Sequence, residues 1–218
     1  MNSTNILQEA RSIIYSKTFL MVFCSLLAIL LSIGYVASEA WPQERFLSIS
    51  TLGSNETAEN YYPDGESTIA VGDTMKWYMN VHNHMGQTEY LSIRMKLVNS
   101  SQPTPDESSY LQDQQLPIFR LDRVVEDNSR WIEPLTWSIA GMNQDIDQIS
   151  IKSLSVNGVN VDNLNTKTVR GKEFRIILEL WRYDTEAQNF VFSQPPSVKQ
   201  SDTKQMNNWN QIWFRLES

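Results

Sequence analysis

Two hydrophobic patterns divide the chain. From Thr18 to Ser38 the sequence TFLMVFCSLLAILLSIGYVAS carries no charged residue. At 1.5 Å of rise per residue, a helix of that length crosses a hydrocarbon core of about 30 Å. After Glu44 the pattern changes to alternation of apolar and polar residues, the period-two mark of strands with one buried face. The first pattern predicts a transmembrane helix over 18–38. The second predicts an extracytoplasmic β domain over 45–218, with 1–17 as a cytoplasmic segment and 39–44 as a tether.

The flanks of the apolar run set its direction. Arg11 and Lys17 precede it, whereas Glu39 and Glu44 follow, with Arg45 the nearby basic residue on that side. Basic residues favour the cytoplasmic side, so the N-terminus is expected inside and the β domain outside. Tyr15 and Phe19 at one end, and Tyr35 and Trp41 at the other, suit the two membrane interfaces. Ile6, Leu7, Ala10, Ile13 and Ile14 keep helical spacing, and Asn5 with Gln8 forms a capping-box pattern, which predicts helix from Ile6 onward. The competing reading is a cleaved signal peptide, because Ser38-Glu39-Ala40 offers small residues ahead of Trp41. The run is longer than the usual apolar core of a signal, which favours a retained single-pass signal-anchor.

In Thr74–His84, Met75, Trp77, Met79 and Val81 share one face, while Lys76, Tyr78, Asn80, His82 and His84 share the other. Met85-Gly86-Gln87 supplies a turn, and Leu91, Ile93, Met95 and Leu97 alternate on the returning strand. The segment 99–116 is polar and contains two prolines, which predicts a long surface loop. Further strands are expected at 118–125, 132–139 and 148–156. Asn157-Gly158 is a two-residue hairpin turn. Phe174, Ile176, Leu178 and Leu180 line one face of the next strand, and Ile212, Phe214 and Leu216 one face of the last. Eight to ten short strands with turns between them predict an all-β fold, an antiparallel immunoglobulin-like β-sandwich.

Composition narrows the function. The net charge is −7, which argues against nucleic acid as a partner, since phosphates call for a cationic surface. The lone cysteine, Cys24, lies inside the apolar run, so the β domain must hold together without an internal disulfide. Seven Trp, eight Tyr and eight Phe supply large apolar area in its place.

Few side chains suggest chemistry. His82 and His84, two apart on a strand, point to the same side and form a candidate copper or zinc pair, although a metal site needs further ligands. The plainer reading is two polar residues at a hairpin mouth. Asp145 with Asp147, and Asp64 with Glu66, are acidic pairs in turn-like surroundings without the ligand spacing of a calcium loop. No serine sits in a nucleophile elbow and no glycine-rich phosphate loop precedes a helix, so neither catalytic residues nor a cofactor are expected.

By strand parity Trp181 and Tyr183 lie opposite one core row, and Trp209 and Trp213 opposite another. On neighbouring strands they make an outer aromatic patch for a protein partner, a sugar or a membrane. Alternatively, both faces of those strands are buried, for example beneath the 99–116 loop. Asn55-Glu56-Thr57 and Asn99-Ser100-Ser101 are glycosylation sequons on the exported side.

Several short stretches resemble an archaeal family of membrane-anchored proteins known as domain of unknown function number sixteen-sixteen. They are Glu44-Arg45-Phe46 with Leu52-Gly53, Val81-His82-Asn83-His84-Met85-Gly86 with Tyr90, Glu126-Asp127-Asn128 with Trp131 and Glu133-Pro134, and Leu180-Trp181-Arg182-Tyr183. The resemblance implies a membrane-tethered immunoglobulin-like sandwich that mediates adhesion or holds partners at the archaeal surface. Family members often carry several spans, whereas this chain shows one. The function expected is therefore a non-enzymatic binding or scaffolding domain whose partners are the membrane and another envelope or membrane protein. The alternatives are a metal-binding accessory subunit of a membrane complex and a carbohydrate-binding envelope protein.

Overall fold

A computed structural model describes residues 17–38, 45–107, 110, 115–192 and 208–217. The helix expected from Ile6, the 39–44 tether with its candidate cleavage site, and part of the 99–116 loop lie outside the described residues. The chain divides into two units, 1–43 and 44–218.

In the first unit one helix, α1, runs from Lys17 to Ser38 and is long and apolar enough to cross a membrane. Its polar atoms turn inward. The Ser25 hydroxyl donates to the Met21 carbonyl at 2.8 Å and the Ser32 hydroxyl to that of Ala28 at 2.7 Å. This removes the two hydroxyls from an otherwise apolar surface.

The second unit is an all-β sandwich. Among the described residues its strands are β1 (Phe46–Leu52), β2 (Thr68–Ile69), β3 (Thr74–His84), β4 (Glu89–Asn99), β5 (Phe119–Val125), β6 (Arg130–Gln144), β7 (Gln148–Val156), β8 (Val159–Val161), β9 (Thr166–Val169), β10 (Phe174–Asp184), β11 (Asn189–Val191) and β12 (Asn208–Leu216). The first sheet has the order β1-β3-β6-β7-β8, with β9 also on β7. The second has the order β2-β12-β10-β4-β5, with β11 also on β10. All pairings are antiparallel except that of β12 with β2.

The alternation read in the sequence fills the space between the sheets. Met75, Trp77, Met79 and Val81 of β3 meet Leu91, Ile93, Met95 and Leu97 of β4 in one buried cluster that also takes in Phe174, Ile176, Leu178 and Phe214. Trp77 and Trp137 meet edge to face at 5.0 Å, and Phe214 lies 5.4 Å from Trp137 and 5.5 Å from Phe174. Such aromatic pairs add about 0.5–1.5 kcal/mol each beyond area burial. Asn157 (φ 48°) and Gly158 (φ 79°) both take the left-handed conformation that a tight hairpin between β7 and β8 requires.

One strand is longer than its pattern. Alternation predicts 132–139, but β6 continues to Gln144 through a register shift at Gly141. A bulge interrupts strict alternation, which is why periodicity stops short there.

Candidate functional site

The outer face of the second sheet carries the aromatic residues singled out in the sequence. Register places Trp209 opposite Glu179 and Trp213 opposite Arg175, so these residues share a face with Trp181 and Tyr183. Trp181, however, does not lie on an open patch: it is only 5% exposed, packed with Phe190 and Phe192. Tyr183 and Trp209 are half-buried against this cluster, as is Tyr110 from the 99–116 loop. Trp213 is 40% exposed. Both faces of β10 are therefore covered around Trp181, because the side chains of Phe190, Phe192 and Tyr110 pack on the side opposite the core.

Beneath this cover lie charges. Lys96 Nζ is 3.0 Å from Glu179 Oε1, with both side chains almost fully buried. The Tyr110 hydroxyl accepts from Lys96 at 2.8 Å and donates to Glu179, while Trp181 Nε1 donates to the other carboxylate oxygen at 2.9 Å. The Arg94 guanidinium stacks 3.6 Å above the Trp181 ring. Burial pushes the Glu179 carboxyl above the usual range, with Lys96, Trp181 and Arg94 opposing it. Each member of the network is thus engaged by another.

His82 and His84 point to one side of β3, as parity requires. Their rings lie 6.0 Å apart, and Phe46 sits 6.0 Å from the first and 5.1 Å from the second. Among the described residues no three His, Cys, Asp or Glu side chains gather closely enough to hold a metal ion. Two imidazoles fall short of the three or four ligands that zinc takes. Asp147 faces Arg170 at 3.4 Å, and Asp64 and Glu66 are exposed.

Sequence reading missed the opposite end of the sandwich. The chain reaches β1 at Phe46, which pairs with His84, so the β3–β4 turn marks the end where the domain begins. At the far end two adjoining clefts, of about 480 and 330 Å³, share Asp147, Gln148 and Arg170. The larger is walled by the end of β4, the start of β7, β9 and the turn from β9 into β10. No local motif announces it, since three separate segments contribute.

This turn is tightly specified. Arg170 (φ 51°), Gly171 (φ 68°) and Glu173 (φ 63°) are all left-handed. Such a conformation costs a residue with a side chain on the order of 1–3 kcal/mol and clusters at functional sites. Arg170 N donates to Asp147 O at 3.0 Å, and Leu216 N to Gly171 O at 2.9 Å, which ties the turn to β7 and β12. The Asn99 side chain pins the other wall. Its Nδ2 donates to Lys167 O at 2.8 Å, and its Oδ1 accepts from Ser101 N at 3.0 Å and Ser101 Oγ at 2.7 Å. The two sequons therefore differ, for Asn55 is exposed and Asn99 is built into the cleft wall.

No protein-family model and no curated protein matches the chain. Among solved structures it is similar to the CARDB domain of a Pyrococcus furiosus protein, described in complex with di-metal ions, with a TM-score of 0.39 and 8% identity. That similarity covers 83% of this chain and 95% of the other.

Proposed function

We propose that the chain is a membrane-anchored surface protein whose β-sandwich binds or positions a partner outside the cytoplasmic membrane without catalysing a reaction. The observation that carries this reading is α1. Its large apolar side chains, from Phe19 to Tyr35, are exposed around the helix. Moving each from water into hydrocarbon is favourable by about 1.5–3 kcal/mol, so a run of them strongly favours a bilayer. The basic residues Arg11 and Lys17 on its N-terminal side support an inside N-terminus.

The non-catalytic part of the reading is supported by where the titratable groups are spent. Lys96 and Glu179 neutralise each other under an aromatic cover, and the histidines pack on Phe46. Membership of the archaeal family of unknown function belongs to the same proposal. Its support is that several of the stretches resembling that family touch one another. Gly86 N donates to Asp127 Oδ1 at 2.8 Å, Phe46 lies 5.1 Å from His84, and Tyr90 packs 5.9 Å from Tyr183.

The test is protease accessibility on intact cells, followed by carbonate extraction and crosslinking of native membranes with mass spectrometry. The domain should be cleaved from outside, its anchor should remain in the membrane fraction, and a stoichiometric partner should be captured. Release by carbonate, or protection of the domain in intact cells, would refute the proposal.

A further inference from the structure

We propose that the 480 Å³ cleft at the end of the sandwich opposite the start of β1 binds an acidic saccharide, one that carries a uronic-acid carboxylate. The inference rests on reading the chain as a non-catalytic binding protein and names the ligand class of that binding. Four observations carry it.

The first is charge. Lys167, Arg170 and Lys172 line the cleft beside Asp147 and Glu173, a cationic excess on a chain whose net charge is −7. Both carboxylates are engaged, Asp147 by Arg170 at 3.4 Å and Glu173 by the Ser100 hydroxyl at 2.6 Å. Among the described residues neither Lys167 nor Lys172 has an ion-pair partner, so two ammonium groups remain for an anion. The second is a pair of accessible hydroxyls. Ser100 and Ser101, both exposed, line the cleft and can accept from a sugar hydroxyl while donating to Glu173 and to Asn99 Oδ1.

The third is the lining. The amide of Gln148 suits a hydroxyl-rich ligand, and Val169, 62% exposed, offers the apolar spot that the C–H face of a sugar ring covers. The volume lies within the range of small-molecule sites, about 300–1,000 Å³. The fourth is rigidity. The β9–β10 turn is fixed by backbone hydrogen bonds to β7 and β12, and the Asn99 side chain ties the end of β4 to β9. A wall fixed before binding loses little freedom when a ligand enters.

The experiment is calorimetric titration of the full chain in detergent micelles with oligogalacturonate, and with a neutral galactose oligomer of equal length. The acidic oligomer should bind, its affinity should fall as salt rises, and the neutral oligomer should bind at least tenfold more weakly. K167Q/K172Q should weaken binding tenfold or more at an unchanged unfolding midpoint, while K76Q on β3 leaves it unchanged. Lack of saturation at millimolar oligogalacturonate, equal affinity for both oligomers, or undiminished binding by K167Q/K172Q would overturn the inference. Any of these results leaves the membrane reading standing, because protease accessibility tests that reading independently.

Discussion

Removing one partner of the buried Lys96–Glu179 pair is the perturbation whose size follows most directly from the structure. Glu179→Leu leaves the Lys96 ammonium in a site that is 2% exposed, 2.8 Å from the Tyr110 hydroxyl but without its carboxylate. It also takes the acceptor from Trp181 Nε1. Breaking a buried pair on one side costs about 3–5 kcal/mol, because the survivor is left as an uncompensated charge. A domain of this size has a total stability of about 5–15 kcal/mol, so the loss is a large fraction of it. The midpoint of thermal unfolding should fall by roughly 6–20 °C. Lys96→Met with Glu179→Leu replaces both charges by apolar groups of similar size and should recover most of that loss.

The acid side gives an independent check. Burial raises the Glu179 carboxyl, so the folded state takes up its proton more readily than the unfolded chain, whose ordinary value is 4.5. Its contribution is fully present below that value and is lost as pH rises through the folded pKa. Lys96→Met removes an opposing charge and raises the carboxyl further. The deficit of this variant against the wild type should therefore be smallest in acid and grow toward neutrality. Chemical unfolding of the full chain in detergent, followed by tryptophan fluorescence, measures all four proteins of the cycle. A Glu179→Leu loss below about 1 kcal/mol, or a double variant as unstable as the summed singles, would refute the reasoning.

A Cβ at Gly171 would sit 2.0 Å from the Leu216 carbonyl oxygen at a φ of +68°, so Gly171→Ala should cost more than about 2 kcal/mol. Gly158→Ala, at φ +79° with nothing within 4 Å, should cost only about 1 kcal/mol in the same unfolding assay. Burial raises the Asp122 carboxyl, but the Arg120 hydrogen bond and nearby guanidinium charges outweigh it and hold it below its ordinary value of 3.8. Its stabilisation is therefore present above that value and lost as pH falls. For this exposed, solvent-screened group, Asp122→Asn should cost about 0.5–1 kcal/mol at neutral pH and converge on wild type in acid. If the domain is exported as proposed, Asn55 should carry any glycan while Asn99 stays unmodified, because the amide of Asn99 is bonded within the cleft wall; glycopeptide mass spectrometry of the native protein reads both sites.

What was legible in the sequence was local. Met75, Trp77, Met79 and Val81 announce their buried face by parity, and Asn157-Gly158 announces its turn by side-chain chemistry. Parity also places Trp181 opposite Leu180, but it does not say whether that second face meets water. The answer lies in Phe190, Phe192 and Tyr110, which reach it from other parts of the chain. The same cover explains why Lys96, Arg175 and Glu179, residue types that normally mark a solvent face, are buried here. The far-end cleft is less legible still. Asn99, Asp147 and the Lys167–Arg170 stretch belong to three segments, and only the pairing of β7 with β9 and of β10 with β4 brings them together.

The place of β12 has a consequence for the order in which the domain is made. This strand lies inside the second sheet, between β2 and β10, although all the other strands precede it in the chain. While the polypeptide is being synthesised, β10 has one long edge without its partner, and Phe214 and Leu216 have yet to reach the core. Synthesis at about 5–20 residues per second keeps that edge open for seconds. The domain thus passes through an interval in which a neighbouring chain's strand can take the place of its own. With the membrane anchoring proposed above, neighbouring copies would be held in two dimensions during that interval, and correct closure would depend on how closely the nascent chains are spaced.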